Sequence, residues 1–444
     1  MLSSVFSVVS IVSIAFLMKL YLSADWSIEA YSWDDIKPLK EWEGVLSPNN
    51  ALSEAKLLNY DQTIGAESFV VGSNDSIYTG LADGRVVELN KDGLLKETVI
   101  FIGGLLSERC ESSDNGLGCD AELEKRCISN SIANNRGVSA ESEIMCGRPL
   151  GLHFESDTQE LFVLDAYHGL FKFNVDSKKA ETVFNTKNTL PAPAFDARND
   201  LDPVVTKPMV FLDDLTIAKD GNIYFTDASY KNNRFNYRVD IIEAGPRGRL
   251  LKYDPQKKTV ETVLCGLHFP NGITELSRGN ESSLLVVEMM RYRILEVPLL
   301  GNVPGNEIAK GLSDCGGKEI QPFVKVWADQ LPGFGDNIEK DGNDFILGVG
   351  AKARRPFSLA YHMFYIPPKV REYIAAFVSM RIIEMLVPKY GLIVKFNGQG
   401  EILATYHDPT GKVPFISHSI KHPLSNKYLI GSSQNRFVAS VELE

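Results

Sequence analysis

The sequence lacks a G-x-S-x-G elbow, a glycine-rich phosphate loop and an H-E-x-x-H pair. Their absence sets aside serine hydrolase, nucleotide-binding and zinc-protease chemistry. It has no C-x-x-C pair, and no histidine falls in the stretch that holds Cys110, Cys119, Cys127 and Cys146. A zinc site is therefore not indicated. Positive charge is short as well: 46 Lys and Arg stand against 57 Asp and Glu, a formal net charge of -11. Gripping phosphates takes a basic face, so nucleic acid is excluded as a partner.

Long apolar runs are almost as scarce. Residues 2–22 read LSSVFSVVSIVSIAFLMKLYL, with Lys19 the one charge. About 20 mostly apolar residues span a bilayer, and a lysine near the end can reach the headgroups. The stretch reads as an uncleaved membrane anchor over residues 1–24. A cleaved signal peptide is the rival reading, but no basic residue precedes the run, and Leu22 with Ala24 makes a poor small-x-small cleavage site. With so little charge beside it, the positive-inside rule leaves the orientation open. The cysteines, which also include Cys265 and Cys315, favour disulfides in an oxidising compartment. Two sequons agree, Asn74 (NDS) and Asn280 (NES), both in polar turns where a glycan is tolerated. Anchor, cysteines and sequons together predict a luminal or extracellular body.

What the chain has in abundance is one repeated unit: a short apolar strand, a polar turn, then a second strand opening near Gly or Arg. The copies are SIYTGLADGRVVELN from Ser76, LFVLDAYHGLFKFN from Leu161, and NIYFTDASY leading to GRLLKYD at Gly248. LLVVEMMRYRILEVPL from Leu284, DFILGVGA leading to YGLIVKFN at Tyr390, and YLIGSSQNRFVASVEL from Tyr428 complete six. Alternating apolar and β-branched residues between polar turns mark strand hairpins. A four-stranded unit that cannot bury itself alone, repeated six times, closes into a propeller. An open sheet of that length would expose its edges. The expected fold is all-β: a six-bladed β-propeller over residues 65–444, a lead-in over residues 25–64, and an N-terminal transmembrane helix.

Ahead of each hairpin lies another short strand. The innermost strands of a propeller line its channel, so their equivalent positions converge near the axis. Those positions offer Glu67, Leu150, Asp213 with Asp214, Asn271, Asp336 with Asn337, and Ser417 with His418. Carboxylates gathered on one axis repel and lose hydration, and a bound cation relieves both. Carboxylate and amide oxygens without thiolate suit a hard ion, and ligands drawn from distant repeats suit Ca2+ better than Mg2+. The expected metal ligands are Glu67, Asp213, Asn271, Asp336 and Asn337. Such an ion can be structural, or it can polarise a carbonyl or phosphoryl oxygen beside a catalytic carboxylate. Asp214 and Asp336 are the candidate base or nucleophile, with His268 and His418 as alternatives.

GRPLGLHF from Gly147, FLDDLTI from Phe211, IYFTDAS, GRLLKYD, FPNGI from Phe269, LPGFGDNI from Leu331 and YGLIVKF from Tyr390 occur in this order. Over residues 65–443 the set resembles the strictosidine synthase-like family, which is similar in fold to the paraoxonases and other calcium-dependent six-bladed propeller hydrolases. The resemblance implies a single-pass type II membrane glycoprotein with arylesterase-type activity. Its propeller would be luminal or extracellular, at the plasma membrane or endoplasmic reticulum. In those hydrolases an early Glu, an Asn–Asp pair, an Asn before Gly and an Asp–Asn pair hold the calcium. The matching positions are Glu67, Asp213 with Asp214, Asn271, and Asp336 with Asn337. The sequence departs at Asp213, where the pattern has Asn, and so adds a negative charge. The paraoxonase active-site His falls on Leu150 and the strictosidine synthase Glu on Ile416, so neither of those chemistries is expected. The resemblance further implies a Cys110–Cys146 bridge, leaving Cys119 to pair with Cys127.

In residues 367–388, Ile374, Phe377, Val378, Arg381, Ile382, Met385 and Leu386 fall near a 3.6-residue period. They predict one amphipathic helix interrupting the fifth blade, too charged to span a bilayer. Two readings stand: a lid over the channel mouth, or an interfacial helix with Lys369, Arg371, Arg381 and Lys389 toward headgroups. The leading functional expectation is a calcium-dependent arylesterase or lactonase acting on small esters. The alternatives are a non-enzymatic receptor or adhesion ectodomain with a structural calcium, and a diverged synthase-like enzyme.

Overall fold

The computed structural model describes residues 27–33, 36–110, 113–133, 140–196, 199–299, 323–354, 358–422 and 424–443. The expected anchor at residues 2–22 lies outside them. Among the described residues no helix is long and apolar enough to cross a membrane.

Runs rich in Val, Ile, Leu and Phe form strands because such side chains pack well on a pleated surface, and Gly, Asp and Asn between them make the turns. The strands assemble into antiparallel four-stranded sheets that follow chain order. The first sheet is Phe69–Val71, Ile77–Gly80, Arg85–Leu89 and Leu95–Phe101. The second is Pro149–Glu155, Glu160–Asp165, Gly169–Asn174 and Lys179–Phe184. The third is Leu212–Ile217, Ile223–Asp227, Gly248–Asp254 and Thr259–Leu267. The fourth is Pro270–Arg278, Glu281–Glu288, Arg293–Pro298 and Lys325–Asp329. The fifth is Gly333–Asp341, Asp344–Lys352, Gly391–Phe396 and Ile402–Asp408. The sixth is His418–Lys421, Lys427–Gly431 and Val438–Glu442, completed from the other end of the chain by Lys56–Leu58. Lys56 pairs with Ser440 and Leu58 with Val438, so the lead-in closes the last sheet.

The first strand of each sheet touches the first strand of the next, and that of the sixth touches that of the first. Apolar layers fill the gaps between neighbouring sheets. Phe162, Phe184, Phe225 and Leu251 form one such layer between the second and third. Each fully buried Leu or Phe contributes about 1.5–3 kcal/mol. The architecture is all-β, made of many four-stranded sheets, and consistent with a propeller.

The lead-in is integral to this body. Trp33 stacks on Phe364 with ring centroids 4.5 Å apart. Leu39, Trp42 and Leu46 join the core shared by the fourth and fifth sheets.

Helices occupy the connections. Tyr237–Glu243 lies between the second and third strands of the third sheet. Leu359–His362, Pro368–Phe377 and Met380–Met385 lie at the equivalent place in the fifth, where a helical insertion is expected. The single helix expected over residues 367–388 is instead two. Val378 adopts an extended φ of -100°, ψ of 123° and ends the first, consistent with the stiffness of a β-branched residue.

The cysteine-rich connection carries Ala121–Ala133 and Ala140–Cys146. All four cysteines there are bridged, but as Cys110–Cys119 and Cys127–Cys146, not as Cys110–Cys146 and Cys119–Cys127. The cause is the helix placement. Cys127 lies on the buried face of its helix, against Phe101 and Cys146. Cys119 stays at the head of that helix, where Asp120 accepts from Ser107 Oγ at 3.0 Å and holds the Cys110 turn nearby. A hairpin of the first sheet seats this module: Gly84, at φ +84°, approaches the Cys146 carbonyl so closely that a Cβ would lie 1.8 Å from it.

Candidate functional site

A repeated local irregularity sets the ring residues apart. The innermost strand slips register against its neighbour between Pro149 and Gly151, Leu212 and Leu215, Pro270 and Ile273, and Gly335 and Ile338. Extra residues in a strand break the regular alternation and re-aim side chains. The residues inside these slips are Leu150, Asp213 with Asp214, Asn271 with Gly272, and Asp336 with Asn337. Glu67 and Ser417 sit just ahead of the innermost strands of the first and sixth sheets.

Glu67, Leu150, Asp213, Asn271 and Asp336 meet in the wall of a cavity of about 170 Å3. The rest of the wall is largely apolar. Phe211, Phe269, Phe334 and Phe415 all line it, each two residues before a ring position. Sequence reasoning missed these phenylalanines, although the recurrence of Phe two places ahead of Asp213, Asn271, Asp336 and Ser417 is visible. Phe269 and Phe415 hold φ of 58° and 56°. That conformation costs a bulky residue roughly 1–3 kcal/mol and is met where a side-chain direction must be fixed.

Within the ring, amide nitrogens serve carboxylates. Asn337 Nδ2 donates to Glu67 Oε1 at 3.0 Å. The Asn271 amide and the Ser417 hydroxyl donate to Asp336. Two amide oxygens are thereby left over, Asn271 Oδ1 and Asn337 Oδ1; with the carboxylate oxygen Asp213 Oδ2 they are buried without a protein partner. Each such orphan costs roughly 1–3 kcal/mol. A Cβ on Gly350 would stand 3.3 Å from Asp336 Oδ2, so glycine keeps that approach open.

The electrostatics run the same way. Burial, then repulsion from Glu67, Asp336 and Asp214, pushes the Asp213 carboxyl well above its ordinary value. Burial and then Glu67 do the same to Asp336. Burial raises Glu67, with Arg148, Arg234 and Asn337 opposing. Carboxyls in one desolvated space cannot all ionise without a counter-charge. Of the nearby guanidiniums, Arg234 binds Glu143 at 2.9 Å, whereas Arg148 gives only Nη1 to the Gly65 carbonyl, at 3.0 Å, and keeps Nε and Nη2 buried without a partner.

Orphaned oxygens on Asp213, Asn271 and Asn337, beside two further carboxylates, fit a hard divalent cation. The fit depends on the amides. Among the described residues, no three or more His, Cys, Asp or Glu side chains make a metal-holding group by themselves.

Other expected residues are placed differently. Asp214, a candidate base, spends its carboxylate on the backbone: Oδ1 accepts from the Leu215 N–H and Oδ2 from the Ile273 N–H, each at 2.9 Å. It ties the third sheet to the fourth and leaves no oxygen uncommitted. His268 packs edge-on against Trp33. His418 Nδ1 accepts from the Phe69 N–H at 2.9 Å, and burial pushes its pKa down to about 3. Ile416 is wholly buried in the core between the fifth and sixth sheets. Asn74 and Asn280 are exposed at turns, as glycan acceptors must be.

The helical insertion covers the same cavity: Leu359, Ala360, Met363, Ile383 and Val387 complete its wall. Arg371, expected toward headgroups, is buried instead. Its Nη1 donates to the Ile242 carbonyl at 2.6 Å, and its Nη2 to the Tyr31 carbonyl. The guanidinium satisfies carbonyls at the end of one helix and in the lead-in, which headgroup contact would not.

The family description "Strictosidine synthase" matches residues 213–297, and "Strictosidine synthase-like, N-terminal" matches residues 44–89. Adipocyte plasma membrane-associated protein of Bos taurus is 31% identical over 404 residues, 90% of this chain and 81% of the relative. Protein STRICTOSIDINE SYNTHASE-LIKE 13 of Arabidopsis thaliana is 30% identical over 387 residues, 85% of this chain and 82% of the relative. Among solved structures, a gluconolactonase from Xanthomonas campestris overlaps with a TM-score of 0.49 at 12% identity, over 94% of this chain and 97% of that one.

Proposed function

This chain belongs to the strictosidine synthase-like family, and from that premise we propose that it is a calcium-dependent hydrolase of small esters or lactones, held at a membrane by residues 2–22. In this reading the four-stranded sheets are the blades of one six-bladed propeller, and the ring lies on its axis. Two disulfides and two exposed sequons support a luminal or extracellular body.

The observation that carries the reading is the set of orphaned buried oxygens on Asp213, Asn271 and Asn337 beside a cavity with phenylalanine walls. Glu67, Asp213, Asn271, Asp336 and Asn337 would hold the ion. Bound there, calcium supplies polarisation of an ester carbonyl and stabilisation of the charge that develops on its oxygen. The phenylalanines take the acyl or aryl part of the substrate and keep bulk water off the ring. Asn271 and Ser417 fix the direction of the Asp336 carboxylate. With Asp214 committed to backbone amides, Asp336 is the carboxylate left to take the proton of an attacking water.

Hydrolysis of phenyl acetate and δ-valerolactone by the full chain tests this, with Ca2+ and after chelation. Activity falls with the metal, and Asp336→Asn lowers it about a hundredfold or more. Hydrolysis that persists in Asn271→Ala and under chelator refutes the metal-dependent reading.

One observation favours a second reading, a receptor or adhesion ectodomain with a structural calcium: no histidine lines the described cavity, and Leu150 lines it at the position where the resemblance to the paraoxonases puts a histidine. It predicts that chelation lowers the melting temperature while no ester is ever turned over. A synthase-like reaction needs acid–base chemistry at position 416, and buried Ile416 offers none.

A further inference from the structure

The two helices over the cavity have a second face. Val370, Tyr373 and Phe377 are exposed along one stripe of Pro368–Phe377. On Met380–Met385 and just beyond it, Ile382 is 53%, Met385 77% and Leu386 64% exposed. Their neighbours Ile383 and Val387 line the cavity instead. One thin layer of helix therefore separates solvent-facing apolar side chains from the candidate site.

The path of the chain says what covers that face. Residues 2–22 end five positions before Ser27, a reach of at most about 18 Å. The chain is pinned from its first described residues. The Ser27 carbonyl accepts from Lys231 Nζ at 2.8 Å, and the Glu29 N–H donates to Glu243 Oε1 at 2.7 Å. The Ala30 N–H donates to Glu372 Oε1 at 3.3 Å, and Arg371 donates to the Tyr31 carbonyl. Glu372 and Arg371 belong to the first of the two exposed helices. A bilayer that holds residues 2–22 therefore stands beside this surface.

We propose that the exposed face of Pro368–Phe377 and Met380–Met385 lies in the headgroup layer of that bilayer, and that the cavity takes its substrate from it: an ester or lactone carrying a long acyl chain. The substrate half rests on the hydrolase reading above; the docking half rests on the anchor and these exposed side chains. The apolar stripe enters the interface, while Ile383 and Val387 form the inner side of the passage to the phenylalanine walls. The geometry favours substrates that partition into lipid over those free in water.

The test uses the full chain in phosphatidylcholine vesicles. A polarity-sensitive fluorophore is placed at Met385→Cys and, as control, at Leu94→Cys, which is exposed at a turn of the first sheet. The label at position 385 is blue-shifted and quenched by brominated phosphatidylcholine, and the label at position 94 is neither. A label at position 385 as water-exposed as that at position 94 overturns the docking. Met385→Glu with Leu386→Glu then leaves phenyl acetate hydrolysis unchanged, which also reports the fold, and slows hydrolysis of p-nitrophenyl palmitate carried in the vesicles about tenfold. Equal effects on both esters overturn the choice of substrate. If the unaltered chain hydrolyses neither, the hydrolase reading fails with the substrate half, and the quenching result decides the docking on its own.

Discussion

Replacing Asp213 by Asn should move stability in opposite directions with and without calcium. In the metal-free protein Asp213 is a buried carboxyl pressed by Glu67, Asp336 and Asp214, and its Oδ2 has no partner. An amide at this position removes one repelling charge, so Asp213→Asn raises the melting temperature under chelator. With calcium present the same change removes an anionic ligand and shrinks the gain that the metal gives. An ion at a hundred times its Kd adds about 2.7 kcal/mol. For a chain of 444 residues that is a shift of about 3 °C. The pH dependence has a definite sign. The folded pKa values of Asp213 and Asp336 lie well above the ordinary 3.8, so metal-free stability is full below that value and is lost as pH rises through the folded values. Buried His407 and His418, lowered to about 4 and about 3, act oppositely: their stability is present above the ordinary 6.5 and is lost as pH falls through the low values. The difference between calcium-loaded and chelated melts cancels the histidine effect, and it widens as pH rises above the ordinary carboxyl value of 3.8. Differential scanning calorimetry of both proteins reads all three quantities. A calcium shift that Asp213→Asn leaves intact, or a chelated melt that it lowers, would refute the reasoning.

Three further outcomes follow from the same geometry. Cys127→Ser with Cys146→Ser opens a closure with a sequence separation of 19 and costs about 3 kcal/mol, measurable by denaturant titration, whereas Cys119→Ser with Cys127→Ser breaks both bridges and costs more. Arg371→Met strands the carbonyls of Ile242 and Tyr31 and speeds amide exchange across Pro368–Phe377, by about 2 kcal/mol of local stability, with the sheets unaffected. Asn74 and Asn280 both carry glycans in a secretory host, so removing each sequon as Asn→Gln lowers the apparent mass by one glycan without changing the melt.

Strand hairpins were legible because a two-residue period survives in a sequence whatever the sheets do next, and the repeat of Tyr78, Phe162, Tyr224, Leu285, Phe345 and Tyr428 exposes them. The ring was legible for the same reason: Glu67, Asp213, Asn271 and Asp336 occupy one place in the repeat, and the structure brings them to one cavity. Asp214 was not, because the difference between it and Asp213 is made by a register slip and by two backbone amides from two sheets. The disulfide partners depend on which face of Ala121–Ala133 is buried, a tertiary fact that spacing does not hold. Arg371 looked like a surface cation on a helical wheel. Only the arrival of the lead-in and of Tyr237–Glu243 makes its site a cage of carbonyls. The lead-in's own share of the core runs through Leu39, Trp42 and Leu46, whose i, i+3, i+7 spacing is that of a helix face although residues 39–43 form no helix.

The central claim is that the ring holds a calcium ion, and an anomalous difference map from a crystal grown with Ca2+ tests it most directly. The account predicts one peak bounded by Glu67, Asp213, Asn271, Asp336 and Asn337, with the orphaned oxygens of Asp213, Asn271 and Asn337 turned toward it. A map with no peak there, or with those oxygens bonded to protein groups instead, would contradict it.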